Sequence, residues 1–226
     1  MNELHLFAGI GGGVLAGQLL GHRCIGAVEF NPYRRRVLAQ RQRDGALPYF
    51  PLWDDVHAFD GLPFRGRVDV VAGGFPCQAY SSAARGRNVA DDLWPEMRRI
   101  VAEVAPRYVF AENVNKRAID RAADDLEALA YTVRCVSLSA KDVGADHVRQ
   151  RYWLLAHADV RGQLLGAVDA EVAGLPRVRS CFWDSDPDES RMADGYSTRV
   201  ERLEATGDAQ VPIVAATAWQ ILKEAQ

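Results

Sequence analysis

The chain has 226 residues, of which 48% are hydrophobic and 25% are charged, so it is long enough to bury one sizeable core. Its formal net charge of −3 excludes a general affinity for phosphates based on a basic excess, and any contact with nucleic acid must therefore use local patches. A leader-like N-terminus and an apolar stretch of roughly 18 residues are both missing, which predicts a cytoplasmic protein without a membrane span.

Short apolar segments alternate with amphipathic ones along most of the chain. The apolar segments predict buried strands at Leu4–Ala8, Cys24–Phe30, Val68–Ala72, Tyr108–Glu112, Thr132–Leu138 and Tyr152–His157. Apolar positions that recur every three or four residues predict helices at Val14–Leu20, Tyr33–Arg43, Leu93–Val104 and Ile119–Ala130. This alternation predicts an α/β fold with a mostly parallel sheet and helices on both faces, in which ligands bind beyond the carboxyl ends of the strands.

The pattern changes after Asp159. Residues 160–190 lack periodicity and are rich in glycine, proline and charge, which predicts a short irregular insertion. Periodicity returns at Val211–Lys223, which predicts a last helix preceded by a turn at Gly207 and Asp208. We therefore expect one main domain, formed by residues 1–159 and 191–226.

The first predicted strand runs into a glycine-rich loop, Phe7-Ala8-Gly9-Ile10-Gly11-Gly12, whose backbone N–H groups can approach a ligand closely. Nucleotide-binding folds and purely structural turns both show such a loop. Glu29 ends the second strand about 20 residues later, where a carboxylate accepts hydrogen bonds from ribose hydroxyls, and Phe30 offers a ring for stacking on an adenine. Asp55 and Val56 close a third segment, where the carboxylate either accepts from an adenine amino group or serves a turn.

Cys77 follows Pro76 at the carboxyl end of the strand predicted at Val68–Ala72, and the rigid proline restricts the position of the Cys77 thiol. The four cysteines lie far apart without CxxC spacing, so the sequence predicts neither a metal site nor a disulfide framework and favours a reducing cytoplasm. Cys24 and Cys135 lie on predicted strands and are interpreted as small apolar fillers.

Four segments then occur in the order and relative spacing seen in cytosine carbon-5 DNA methyltransferases: FAGIGGG, GGFPCQAYS, ENV and HVRQRYWLLA. The chain resembles that family over residues 1–159 and 191–216, and in particular its short phage and prophage members. The resemblance implies a Rossmann-like S-adenosylmethionine-dependent methyltransferase fold. It also implies that residues 1–159 and 191–226 form the catalytic domain and that 160–190 replace a target-recognition domain.

The resemblance assigns catalytic roles. It implies that the Cys77 thiolate adds to carbon 6 of a cytosine, after which carbon 5 accepts a methyl group from S-adenosylmethionine. Glu112 matches the glutamate that holds nitrogen 3 and the exocyclic amine, and it should be protonated at the crucial step. Arg151 matches the arginine that reaches the cytosine carbonyl oxygen, and Arg149 matches the one that steadies the nucleophile loop. His147 stands where the family commonly has glutamine.

The resemblance also implies ligand contacts. Those expected for the cofactor are Phe7, Ala8, Gly9, Ile10, Gly11, Gly12, Glu29, Phe30, Asp55, Val56, Gly73, Leu93, Asp208 and Ala209. A target base inside double-stranded DNA must be flipped out, and the expected contacts are Gln78, Ser81, Arg85 and Arg87. Asp208 replaces a family asparagine, and an ionised aspartate cannot donate a hydrogen bond. We expect weak or ordinary methyl transfer, with a modified methyl donor as the alternative.

The segment 160–190 is much shorter than the family's target-recognition domain, which predicts a very short or relaxed recognition sequence, or a partner protein or oligomer that supplies recognition. A phage origin would fit protection of a genome from host nucleases. Three other functions stay open: an RNA cytosine methyltransferase, a homologue that binds DNA or a partner without turnover, and a nicotinamide-dependent dehydrogenase. The last leaves the Pro76-Cys77 and Glu112-Asn113-Val114 segments unexplained.

Overall fold

The computed structural model describes residues 1–76, 92–158 and 196–224. Within them, one sheet is formed by β1 (Asn2–Leu6), β2 (Arg23–Val28), β3 (Leu52–Trp53), β4 (Val70–Gly74), β5 (Tyr108–Asn113), β6 (Tyr131–Ser139) and β7 (Gln150–Ala158). The α-helices are α1 (Gly12–Leu19), α2 (Pro32–Arg43), α3 (Trp94–Val104), α4 (Lys116–Glu127), α5 (Tyr196–Asp208) and α6 (Pro212–Glu224). Short 3-10 turns lie at Leu62–Phe64 and Ala140–Val143.

The sheet has the strand order β3-β2-β1-β4-β5-β7-β6. Strands β1 to β5 pair in parallel, whereas β7 runs antiparallel to both β5 and β6. The direction of chain progression reverses between β1 and β4, so their carboxyl ends leave the crevice in which open α/β sheets bind ligands. The predicted mostly parallel α/β fold is confirmed.

The core is divided between the two faces of the sheet. On one face, Leu4, Val71 and Val109 pack with residues of α3 and α4. On the other face, strand residues such as Phe110 pack against α6, whose Trp219 is 2% exposed. Successive strand residues alternate between these clusters because β side chains point to opposite faces, so the central strands are apolar throughout.

Asparagine caps determine where two helices begin. The Asn31 side chain accepts hydrogen bonds from the backbone N–H groups of Tyr33 and Arg34, so that α2 begins at Pro32. Asn115 accepts from Arg117 N–H in the same way. Helix α4 consequently begins at Lys116, three residues before the predicted Ile119. The prediction began late because the first turn of the helix is polar and shows no apolar periodicity.

The prediction of a turn at Gly207 and Asp208 is wrong, since both residues belong to the last turn of α5. The break comes at residues 209–211, because Pro212 begins α6 and disfavours the helical conformation for Val211. The first strand also ends earlier than predicted, at Leu6, and Phe7 has a positive φ of 53°. The predicted insertion at 160–190 lies outside the described residues. Within the described part of the chain, no helix is long and apolar enough to cross a membrane.

A buried charged cluster lies beneath α1. Glu3 on β1 is 4% exposed, and its two carboxylate oxygens contact His5 Nε2 at 2.8 Å and His22 Nδ1 at 2.7 Å. Burial by itself would raise the pKa of Glu3, but the hydrogen bonds and positive charge of the two imidazoles reverse the shift and lower this pKa to about 2. Gly17 of α1 leaves the space for this carboxylate, because a Cβ there would lie 2.0 Å from Glu3 Oε2.

We predict that Glu3→Gln lowers the free energy of unfolding at pH 7 by about 3 kcal/mol, the linkage energy of a carboxyl whose pKa falls from 4.5 to about 2 on folding. A depressed folded pKa stabilises the native state above the unfolded pKa. The difference between wild type and variant should therefore shrink as pH falls from 4.5 towards 2. Urea unfolding at several pH values measures it, with the exposed Glu127→Gln as control; a difference that is constant with pH would contradict the assignment.

Candidate active site

A cleft of about 710 Å³ opens at the carboxyl ends of the central strands. It brings together predicted cofactor residues with predicted catalytic ones. The cofactor group comprises Phe7, Gly9, Phe30, Asp55, Val56, Leu93 and Asp208. The catalytic group comprises Pro76, Glu112 and Arg151. Because these residues come from eight separate parts of the chain, their convergence is a property of the fold and not of local sequence.

The glycine loop meets the cleft through Gly9. This residue has a φ of +58°, and a Cβ placed on it would meet no atom within 4 Å, so the backbone is open to a ligand. Its N–H donates to Glu29 Oε2 at 2.7 Å, while Glu29 Oε1 accepts from Asn31 N–H at 2.9 Å. Glu29 is only 5% exposed and does not line the cleft. In this structure it braces the loop rather than offering two free oxygens.

The rest of the loop faces the protein. Ile10, Gly11 and Gly12 do not line the cleft, although they were predicted cofactor contacts. Gly12 instead packs against the turn between α5 and α6, because a Cβ there would lie 2.1 Å from the backbone oxygen of Gln210. A small cavity of about 30 Å³ lies beside this contact. It is lined by the predicted cofactor residues Ala8, Gly73 and Ala209, among others.

One wall of the cleft is aromatic and acidic. Phe30 has 77% of its surface exposed and lines the cleft, so its ring is open to a ligand. Asp55 lies after β3 and accepts a hydrogen bond from His57 N–H at 2.8 Å. That bond forms a local turn and uses one carboxylate oxygen, Oδ1. The position of Asp55 therefore fits both of its predicted roles, as a turn residue and as an acceptor for an adenine amino group.

Glu112 lies at the end of β5 and is 7% exposed. Its Oε1 is 3.0 Å from Arg151 Nε, and its Oε2 accepts from Gln210 Nε2 at 3.3 Å. Burial raises the pKa of Glu112 above its ordinary value, and the positive charge of Arg151 opposes this only in part. The carboxyl therefore keeps its proton to a higher pH than an exposed glutamate.

Arg149 stands beside this group but holds another part of the chain. Its Nη2 donates to Ala209 O at 2.8 Å, which ties the start of β7 to the turn after α5. Burial lowers the pKa of Arg149, and the neighbouring Arg151 cation adds to the effect. His147 has an exposed side chain next to Asp146.

Asp208, where the sequence departs from the family pattern, has a charged partner that also lines the cleft. Arg34 Nη2 of α2 lies 2.5 Å from Asp208 Oδ2. The Asp208 side chain is 66% exposed, so the pair contributes about 0–1 kcal/mol to stability. The charge at Asp208 is consequently neutralised by Arg34, a residue that the sequence did not single out.

The strand end that leads to Cys77 is held firmly. Asn113 Nδ2 donates to Phe75 O at 2.8 Å, and Leu93 N–H donates to Pro76 O at 3.3 Å. The two described ends of the intervening segment thus meet at the cleft. The predicted residues Cys77, Gln78, Ser81, Arg85 and Arg87 lie outside the described residues.

The two cysteines within the described residues, Cys24 and Cys135, are poor nucleophiles. Burial raises the pKa of Cys24 to about 12 and that of Cys135 to about 11. Because only a thiolate attacks efficiently, neither thiol is reactive near neutral pH. Both fit their interpretation as apolar fillers.

Sequence reasoning missed Gln210 and Arg34, which contact the predicted site residues Glu112 and Asp208, and Asn113, which binds the backbone just before Pro76. Asn113 was visible in the ENV segment, but only as a neighbour of Glu112. Gln210 and Arg34 act across 98 and 174 residues of sequence, and no local pattern indicates such contacts.

Comparison with known proteins places the chain among methyltransferases. The family model for the C-5 cytosine-specific DNA methylase matches residues 1–172. The type II methyltransferase M.Eco47II of Escherichia coli is 35% identical over 118 residues, which cover 49% of this chain and 26% of that protein. M.HhaI of Haemophilus parahaemolyticus is 28% identical over 162 residues, which cover 67% of this chain and 47% of that protein. The chain thus spans about half, or less, of the length of these relatives.

Solved structures with a similar fold are also methyltransferases. The crystal structure of a DNMT2 mutant of Spodoptera frugiperda superimposes with a TM-score of 0.61 at 20% identity, covering 84% of this chain and 61% of that one. At this identity the likeness establishes the fold alone. It confirms the predicted Rossmann-like methyltransferase architecture.

We predict that Gly12→Ala destabilises the protein by roughly 1–3 kcal/mol, because its Cβ would collide with the Gln210 backbone. Urea unfolding measures the loss. Gly207→Ala is the matched control, since Gly207 is helical with nothing within 4 Å, and alanine there should be neutral or stabilising. Equal stabilities of Gly12→Ala and wild type would show that the turn does not press on the loop.

Proposed function

Because the chain belongs to the C-5 cytosine-specific DNA methylase family, we propose that it transfers a methyl group from S-adenosylmethionine to carbon 5 of a flipped-out cytosine in DNA. One observation carries the proposal: the buried carboxyl of Glu112, paired with Arg151, faces the same cleft as Pro76, the residue before Cys77. A base bound there would meet a nucleophile, an acid and a cation together.

The chemistry follows from the side chains. The Cys77 thiolate forms a bond from Sγ to carbon 6 of the cytosine, and the Glu112 proton neutralises nitrogen 3, so that carbon 5 gains nucleophilic character. The bound donor supplies an electrophilic methyl group on sulfonium sulfur. Carbon 5 would bond to that methyl carbon as the methyl–sulfur bond breaks, so that S-adenosylhomocysteine leaves. The carbon-5 proton would then pass to solvent and the Sγ–carbon 6 bond would break, while nitrogen 3 returns its proton to Glu112; this releases 5-methylcytosine and restores the thiolate.

Arg151 has a separate task. Its Nε lies against Glu112 Oε1, and its guanidinium lines the cleft. It would donate to the carbonyl oxygen of the base, where negative charge increases as the thiolate adds to carbon 6. Arg149 would act indirectly, by fixing the turn that carries Ala209.

The cleft fits the donor. Its volume, the open face of Gly9 and the exposed ring of Phe30 suit an adenosine with an attached amino acid. The Asp55 carboxylate and Val56 would border the adenine, and Leu93 would close the far side. Because Arg34 neutralises Asp208, we propose the ordinary methyl donor rather than a modified one.

The division of the chain is also part of the proposal. Residues 1–159 and 191–226 would form the catalytic domain, with 160–190 as a short insertion that reads few bases. Helix α6 supports the inclusion of the C-terminal residues in the catalytic domain, since it packs on α1, β6 and β7 as part of the same core. Target recognition would then be relaxed, or supplied by a partner protein or a second copy.

We predict that Phe30→Ala weakens binding of S-adenosylmethionine about tenfold or more, since stacking of a base on an aromatic ring is worth roughly 1–3 kcal/mol. Isothermal titration calorimetry measures the change. Tyr49→Ala is the control, because Tyr49 is an equally exposed aromatic residue, at 86%, that does not line the cleft. Unchanged binding by Phe30→Ala would remove Phe30 from the donor site.

We predict that DNA incubated with the protein and S-adenosylmethionine gains 5-methylcytosine, detected by mass spectrometry of its nucleosides. Cys77→Ser should abolish the product, whereas Cys135→Ser should not. Glu112→Gln should reduce the rate by roughly 10²-fold or more, as expected when a general acid is removed. Glu127→Gln is the exposed control.

Substrate class and pH complete this experiment. An RNA substrate tested in parallel should stay unmodified; methylation of RNA alone would reassign the substrate. Since burial raises the pKa of Glu112, its protonated form extends to higher pH, and the rate should fall only as pH rises through that raised pKa. No modified cytosine in either polymer, despite donor binding, would refute the enzymatic proposal.

A further inference from the structure

Glu112 is held by two described partners of different chemistry, one on each oxygen. Arg151 Nε contacts Oε1 at 3.0 Å, and Gln210 Nε2 contacts Oε2 at 3.3 Å. A guanidinium only donates hydrogen bonds, so Arg151 can serve a carboxylate but cannot accept a proton from a neutral acid. A glutamine amide both donates, through nitrogen, and accepts, through oxygen.

The position of Gln210 is determined by its backbone. Gly12 packs directly against the Gln210 carbonyl, and Arg149 holds the preceding residue through Ala209 O. The side chain therefore points towards Glu112 because two other parts of the chain fix the turn. Its replacement would leave these backbone contacts in place.

Two glycines leave the space in which this side chain lies. Gly74, which pairs with Glu112 in the sheet, has no Cβ; one there would lie 2.7 Å from Glu112 Oε2 and 3.2 Å from Gln210 Nε2. At the other end of the amide, a Cβ on Gly13 would lie 2.7 Å from Gln210 Oε1. The cavity of about 30 Å³ beside the amide is lined by His5, Glu112 and Gln210, and it is large enough for a water molecule.

The cytosine chemistry requires Glu112 in two states. It must hold a proton before the thiolate adds, give that proton to nitrogen 3 as the Sγ–carbon 6 bond forms, and take it back on elimination. The charged groups that face it are Arg151 and Arg149, which are cations, and Asp208, which is an anion. None of these three charged groups both donates and accepts.

On the basis of this proposed function, we propose that Gln210 is a positioning residue that holds Glu112 Oε2 in both protonation states. The amide nitrogen donates to the carboxylate. After half a turn about the last side-chain bond, the amide oxygen accepts from the Oε2–H of the neutral acid until the base binds and nitrogen 3 becomes the acceptor of that proton. Glu112 thus keeps its orientation towards the base throughout the cycle, although its proton leaves and returns.

Two substitutions test this role, with the wild-type chain assayed alongside. Gln210→Met keeps the length but neither donates nor accepts, and should lower kcat about tenfold, with KM values for DNA and donor within about twofold. Because a hydrogen bond to a carboxylate is stronger than one from a neutral acid, loss of the amide should move the pKa of Glu112, and with it the alkaline limb of the rate profile, to higher pH. The exposed Gln40→Met on α2 is the control and should match wild type.

Gln210→Glu is expected to give a result that would not arise if the Gln210 side chain only filled space. As a neutral acid it both donates and accepts, so its kcat relative to wild type should be close to one at acid pH. As a carboxylate it can only accept, and transfer of the Glu112 proton to nitrogen 3 would then leave two adjacent negative charges, so the ratio should fall as pH rises. A ratio that does not depend on pH, or Gln210→Met with wild-type kcat and pH profile, would overturn the proposal. If Gln210→Met does not fold, as judged by thermal unfolding, Gln210→Glu decides alone.

A direct titration separates this inference from the proposed function. Carbon-13 NMR of glutamate-labelled protein, with the Glu112 carboxyl assigned by its loss in Glu112→Gln, reports its pKa without turnover. A higher pKa in Gln210→Met than in wild type supports the contact even if no cytosine is methylated, in which case the proposed reaction alone fails. An unchanged pKa overturns the role of Gln210 even if methylation is found.

Discussion

The contact between the glycine loop and the turn at residues 209–211 is the constraint on which the site depends. Gly12 has no side chain, and the carbonyl of Gln210 occupies the space that one would need. Through this contact a turn near the end of the chain lies between the first loop and the Glu112 strand. Arg149 fastens the same turn from the other side, by its bond to Ala209 O. The cofactor and base halves of the cleft are therefore built as one unit.

Within that unit, charge is distributed unevenly. Glu112 is buried, which raises its pKa, whereas Asp208, which lines the same cleft, is exposed and paired with Arg34. Two carboxyl groups in one cleft can thus differ in protonation because their environments differ in solvent access. A carboxyl that holds its proton can donate to a ring nitrogen, and an ionised one cannot.

Much of this site could be predicted because its residues follow strands. Pro76 and Glu112 stand at strand ends, and parallel strands bring their carboxyl ends to one edge of the sheet. The partners of these residues could not be predicted in the same way. Gln210 reaches Glu112 from a turn that the sequence analysis placed two residues too early, since the helical conformation continues through Gly207 until Pro212 intervenes. The Glu3 cluster escaped notice because its histidines lie on a strand and in a loop, without a shared motif.

The aspartate at position 208 acquires its meaning from a residue far away in sequence. In isolation, the change from an amide to a carboxylate removes a donor and adds a negative charge beside a ligand site. In the folded chain, Arg34 supplies a cation at 2.5 Å and itself lines the cleft. The wall therefore gains both a donor-rich guanidinium and an acceptor-only carboxylate, with nearly no net charge. A ligand that carries both an ammonium and a carboxylate group, as the proposed methyl donor does, would find an opposite charge for each of them in this pair.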